Sequence, residues 1–178
     1  MKEVLSLFAS YNAHVNGEVF DLVSELTEEL RNSQNGSYHG SLFGTLNHMY
    51  NSDVGWLRRL REHVKEYQSL AVPELQGDHP HRWDAALTPD FATLAMRRPQ
   101  LDELIIRFIG EVPEKDPAHS FTYTNFYGDV RTVTFGLALL HMFNHQTHHR
   151  GAVSEQLDRM KISNDYSGLV EMINAVDR

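Results

Sequence analysis

The stretch His141-Met142-Phe143-Asn144-His145-Gln146-Thr147-His148-His149-Arg150-Gly151 sets four of the chain's 11 histidines within nine residues, three of them at every fourth position. Side chains four apart on a helix share one face and are separated by about 6 Å of rise, so two imidazoles at this spacing can close on one ion. His145 and His149 therefore read as a pair of metal ligands. The apolar positions Leu137, Leu140, Phe143 and Leu157 predict a largely buried helix from Phe135 to about Met160, which weighs against the alternative of a solvated histidine stripe.

Two ligands do not complete a site, so a third must come from another element. His48 is the best placed, because it sits in a periodic segment whose apolar residues Leu42, Leu46, Met49, Tyr50, Trp56, Leu57 and Leu60 mark a core helix from about Ser41 to Glu66. Gly44, Ser52 and Gly55 share its helical phase, and small neighbours leave room for a ligand between helices. Neutral imidazole suits zinc, nickel or iron, and the sequence does not choose among them. His141, one turn further along, is expected to support the ligands or pack in the core, with Asn144 and Arg150 as further supports and His148 facing sideways. Asp53 lies on the apolar stripe and needs a partner; orienting a histidine of another helix or pairing with Arg150 are the two roles considered. Trp56 is a core residue or a pocket wall. His14, His39, His63, His79, His81 and His119 lack ligand spacing and are expected to be solvated.

Around these segments the pattern is mostly helical. Val4, Phe8, Tyr11, Val15, Val19, Leu22, Val23, Leu26 and Leu30 recur in steps of three and four, predicting one helix over about 3–31. Residues 68–88, with Pro73, Gly77 and Pro80, read as a long loop. Thr88-Pro89 is expected to cap a helix that carries Leu94, Leu101, Leu104, Ile105 and Phe108, kinked or divided at Pro99. Phe121–Asn125 and Arg131–Thr134, separated by Gly128-Asp129, predict a hairpin, and Tyr166 to Val176 a short last helix. Four principal helices make an all-α chain of 178 residues, expected to form a single domain over 1–178 built as a four-helix bundle.

Composition narrows the function. With 16 basic and 24 acidic residues the formal charge is -8 and there is no basic run, which disfavours nucleic-acid binding. Absence of cysteine excludes disulfides, thiolate ligands and a cysteine nucleophile. No signal-like start and no apolar stretch of membrane-spanning length is seen, so a soluble cytoplasmic protein without membrane contact is expected. Asn35-Gly36-Ser37 matches a glycosylation triplet but reads as a turn, and no glycine-flanked serine elbow supports Ser-His-Asp catalysis.

The run Leu139 to Gly151, preceded by Gly44-Thr45-Leu46-Asn47-His48 with Asp53 and Trp56 downstream, resembles the DinB family of damage-inducible-type proteins, within the DinB/YfiT-like superfamily. The resemblance spans most of the chain, from Tyr11-Asn12 through Tyr123, Asn125 and Gly128. It implies a four-helix bundle with a small hairpin before the last long helix, a divalent metal held by His48, His145 and His149, and a homodimer. It also implies a metal-dependent enzyme acting on a small molecule, with thiol transfer using a low-molecular-weight thiol as the lead, metal-dependent hydrolysis as the alternative, and a non-catalytic metal-binding stress protein as the competing class. Ala152 stands where relatives often carry glutamine, so a polar contact from that position is missing here.

Overall fold

The computed structural model describes residues 1–63, 67–76, 87–125 and 127–170. His79, His81, Gly77 and Pro80 lie outside the described residues, as do 64–66 at the end of the expected second helix and 171–176 of the expected last one. Five helices and one hairpin follow in order: α1 (Lys2–Ser24), α2 (Glu28–Asn32), α3 (Leu42–His63), α4 (Phe91–Glu111), β1 (Ser120–Thr124), β2 (Val130–Thr134) and α5 (Phe135–Arg159). Short 3₁₀ turns at Gln68–Leu70, Pro73–Leu75 and Asp116–Ala118 shape the connections. The four long helices form a bundle in which α1 packs on α4 and α3 on α5, closed by α1 against α5 and α3 against α4.

Helical spacing explains what each helix buries. α1 turns Leu5, Ala9, Val15, Val19 and Val23 inward, and α3 does the same with Leu42, Leu46, Met49, Leu57 and Leu60. α5 buries Leu139, Met142, Phe143, Val153 and Leu157, but Leu137, expected inside, is exposed. These side chains join one contiguous apolar cluster with Phe108 of α4 and Phe121 of β1. Among the described residues no helix is long and apolar enough to cross a membrane.

The expected helix over 3–31 is two helices. α1 stops at Ser24, and Thr27 starts α2 by accepting a hydrogen bond from the Leu30 N–H at 3.3 Å. Arg31 then folds back and donates to the carbonyls of Ser24 at 3.2 Å and Leu26 at 2.6 Å, serving acceptors that the end of α1 leaves without helical partners. A second correction concerns the start of α4. Asp90, not Thr88, is its cap, accepting from the Thr93 N–H at 2.7 Å. Thr88 is committed elsewhere: its hydroxyl donates to the Asn47 side chain, and its carbonyl accepts from the same amide, both at 3.1 Å.

Pro99 does not divide α4, which runs unbroken from Phe91 to Glu111. The ring removes one helical hydrogen bond, but Leu94 before it and Leu101, Leu104 and Ile105 after it are all buried and anchor both halves in the core. The hairpin pairs Ser120 with Thr134 through Thr124 with Val130. Its turn is fixed by the Asn125 side chain, which accepts from the Tyr127 and Asp129 N–H groups at 2.9 Å each, and by Gly128 at φ 85°. Thr134 ends the second strand and caps α5 by accepting from the Leu137 N–H, so the hairpin sets where the histidine helix begins.

Candidate metal centre

Three elements bring imidazoles to one place. α3 supplies His48, α5 supplies His145 and His149, and the loop between α2 and α3 supplies His39. The ring centroids of His48, His145 and His149 lie 5.0, 4.6 and 4.3 Å apart, so the three rings expected as ligands form one cluster. Nε2 of His48 is 3.1 Å from Nε2 of His145. Two nitrogens sharing one zinc at about 2.0–2.1 Å in a tetrahedral arrangement are about 3.3 Å apart, so this separation suits two donors on one ion as well as a ring N–H···N hydrogen bond.

His39 corrects the expectation that it is solvated. It is half-buried, and its ring stacks on His48 at 3.9 Å between centroids and meets His149 edge-on at 5.2 Å. His39, His48 and His149 each offer a nitrogen, and the three lie within 4.8 Å of one another, a group that could hold a metal ion. His145 is not one of that group, but its Nε2 meets His48 and its ring lies 4.3 Å from that of His149. The sequence signal for His39 is local: Gly36 and Gly40, both at positive φ near 80°, bracket a tight loop that ends at the start of α3. Gly44 completes the fit, because a Cβ there would stand 2.2 Å from the His39 carbonyl oxygen.

The other expected site residues sort themselves by position. His141 is exposed, with its ring 5.1 Å from Trp56 and 6.2 Å from His145. Trp56 is buried, and it packs against Tyr123 with the Arg59 guanidinium 5.0 Å from its ring. Asn144 is exposed. Arg150 is buried, donates to Asn12 and to Thr147, and lies 5.4 Å over the Tyr11 ring, so it ties α5 to α1. Asp53 forms its ion pair with Arg98 at 2.8 Å, not with Arg150 and not with a histidine. His14, His119 and His148 are exposed.

A cavity of about 330 Å³ opens on the His39 side of the cluster. Its wall comprises His39, His48 and His149 together with Ser37, Tyr38, Thr45, His148 and Ala152. The small side chain at 152 is therefore part of the cavity wall, where a longer residue would fill it.

Electrostatics favour neutral rings. Burial, and then the nearby His149, hold His145 down to about 3; burial and His48 hold His149 down to about 3 as well. Burial and His48 bring His39 to about 4. Neutral imidazoles are the form that binds metal. His145 is also incompletely satisfied: its Nδ1 is buried with no hydrogen-bond partner among the described residues, while Nε2 faces another ring nitrogen. A cation shared by the facing ring nitrogens would satisfy Nε2 of His145, whereas Nδ1, on the other edge of the ring, would still call for a partner of its own.

In the metal-free protein, both His145 and His149 should still be neutral at pH 5, where a free imidazole of pKa about 6.5 is about 97% protonated. Between their folded values and that unfolded value the unfolded chain binds more protons, so stability falls as pH drops through this window. Long-range ¹⁵N NMR of the ring nitrogens from pH 7 to 4 checks this, and an imidazolium signal from either residue at pH 6 contradicts it.

Fold and site together define a helical bundle with a polyhistidine cleft able to hold a metal ion. A family model described as the DinB family matches residues 1–160 of the 178, and the chain belongs to that family. Neither the curated proteins nor the solved structures give a match.

Proposed function

We propose that this chain is a divalent-metal-dependent enzyme in which His48, His145 and His149 hold zinc, nickel or iron, and that it transfers a low-molecular-weight thiol to an electrophilic small molecule. The observation that carries the reading is the meeting of the His48, His145 and His149 imidazoles beside a cavity large enough for a small substrate. When bound, the ion supplies a Lewis acid that lowers the pKa of a thiol or of water. In transfer, a sulfur–carbon bond forms, the bond from carbon to the leaving group breaks, and the thiol proton departs with the leaving group.

The chain's own residues do the positioning. His48 is fixed on α3 and His145 with His149 on α5, and rigid helices hold donors more accurately than loops do. His148 lines the same cavity, on the turn of α5 that carries His149. A bundle of this size folds on its apolar core, so the histidines serve chemistry and not stapling.

Untagged protein, metal-loaded, is assayed with several cellular thiols against a panel of electrophiles and esters. Thiol-dependent turnover that disappears in His145→Ala together with bound metal is the expected result. Turnover of esters without thiol would replace transfer by hydrolysis, and tight metal binding with no turnover on any substrate would leave a metal-binding protein without catalysis.

A further inference from the structure

We propose that His39 is a fourth nitrogen donor to the same ion, carried by the α2–α3 loop and closing the side of the site that faces the cavity. The inference rests on the metal site proposed above and concerns a residue outside the three helix-borne ligands. Three observations carry it. First, His39 offers a ring nitrogen within 4.8 Å of those of His48 and His149, and its ring meets that of His149 edge-on at 5.2 Å between centroids. Second, the arrangement is built and not incidental. The Asn35 amide donates to Gln156 Oε1 of α5 at 2.5 Å, the Asn35 N–H to the Gly40 carbonyl at 3.0 Å, and the Gly40 N–H to the Ser37 carbonyl at 3.0 Å. Gly44, where any Cβ would strike the His39 carbonyl at 2.2 Å, lets this loop sit directly on the first turn of α3.

Third, the sides of the cluster differ. The cavity is walled by His39, His48 and His149, whereas His145 is not part of its wall. His39 thus stands between the helix-borne donors and the space that a substrate enters. Four imidazoles around one ion make an all-nitrogen site closed in the resting protein, a set within the repertoire of divalent transition metals. A ligand arriving through the cavity must then displace a side chain carried by a loop, while the three donors on α3 and α5 stay in place.

The test is a Co²⁺ titration of the untagged full chain, read by visible absorption and by dissociation constant, for the wild type, His39→Ala, His39→Gln, His145→Ala and His149→Ala. Both His39 variants should bind Co²⁺ at least about tenfold more weakly, the lower end of what is lost when even a supporting partner of a ligand is removed. Their bands should weaken as water takes the vacated position, and imidazole added to His39→Ala should restore the wild-type spectrum. A dissociation constant and spectrum unchanged in both His39 variants, with binding abolished in His145→Ala and His149→Ala, overturns the role of His39 and leaves the three-histidine site standing. Failure of the wild type to bind Co²⁺, or full binding by His145→Ala and His149→Ala, removes the site and this inference with it.

Discussion

Replacement of Arg98 by methionine should lower the stability of the fold by about 3–5 kcal/mol, the usual loss when one member of a buried ion pair is removed. The reason is geometric. Arg98 is 2% exposed on α4, with Asp53 of α3 at 2.8 Å and Asp102 of its own helix at 2.5 Å; Asn16 of α1 donates to Asp102 at 3.0 Å. One guanidinium therefore compensates two buried carboxylates and links three helices. Burial lifts Asp53 to about 6 and raises Asp102, with Arg98 opposing the rise in both. Without Arg98 the opposition ends and both carboxyls move further up.

The sign with pH follows. The folded Asp53 carboxyl holds its proton to higher pH than the unfolded one, whose value is about 3.9, so the folded state binds more protons in between and stability falls as pH rises through that window. In Arg98→Met the window extends upward, and the loss should be greater at pH 8 than at pH 5.5. Urea unfolding at the two pH values measures it. For a chain of this length the thermal midpoint, read separately by heating, should drop by about 6–20 °C. A loss below about 1 kcal/mol at pH 8 would mean that the three charges are not coupled as described.

What the sequence reveals and what it conceals follow from how local each cause is. The start of α5, the hairpin and the pairing of His145 with His149 on one helix face depend on helical period, a threonine cap and a Gly-containing turn, each written within a few residues. His48, 97 residues from His145, is legible by its place on a core helix and by the family resemblance. Arg98 is different: its partner Asp53 is 45 residues away, and Pro99 beside it draws attention to the backbone. A signal existed nonetheless, since Arg98 falls in phase with Leu94, Leu101 and Ile105, and an arginine on an apolar stripe needs a carboxylate. The break after α1 was also signalled, by Thr27 followed by Glu28 and Glu29, an N-cap with acids in the first turn. It is masked by Leu26, which still packs against the core and so prolongs the apolar period past the end of the helix. His39 is hardest to see, because its place is set by the contact of a loop with α3 and α5, and only the glycines at 36, 40 and 44 betray that the backbone must pass so closely.

Metal loading should raise the unfolding midpoint by about 8–16 °C when free metal stands at 1,000 times the dissociation constant. Binding to the folded state alone then contributes about 4.1 kcal/mol, and each kcal/mol moves the midpoint of a chain this long by about 2–4 °C. The metal-free protein should nevertheless be fully folded, because the core that runs from Leu5 through Leu57 and Phe108 to Leu157 contains none of the clustered histidines. Helix content by circular dichroism should therefore survive chelation while the midpoint falls. His149→Ala should unfold close to the metal-free wild type and gain little from added metal. That variant removes a ring held in its neutral form among other rings, and its place borders an open cavity, so the folded protein loses little packing. Loss of helix on chelation would instead make the ion a structural staple, and a site built to hold the bundle together has no reason to border a cavity. An unchanged midpoint in the wild type at saturating zinc, nickel and iron would remove the metal from the account of this fold altogether.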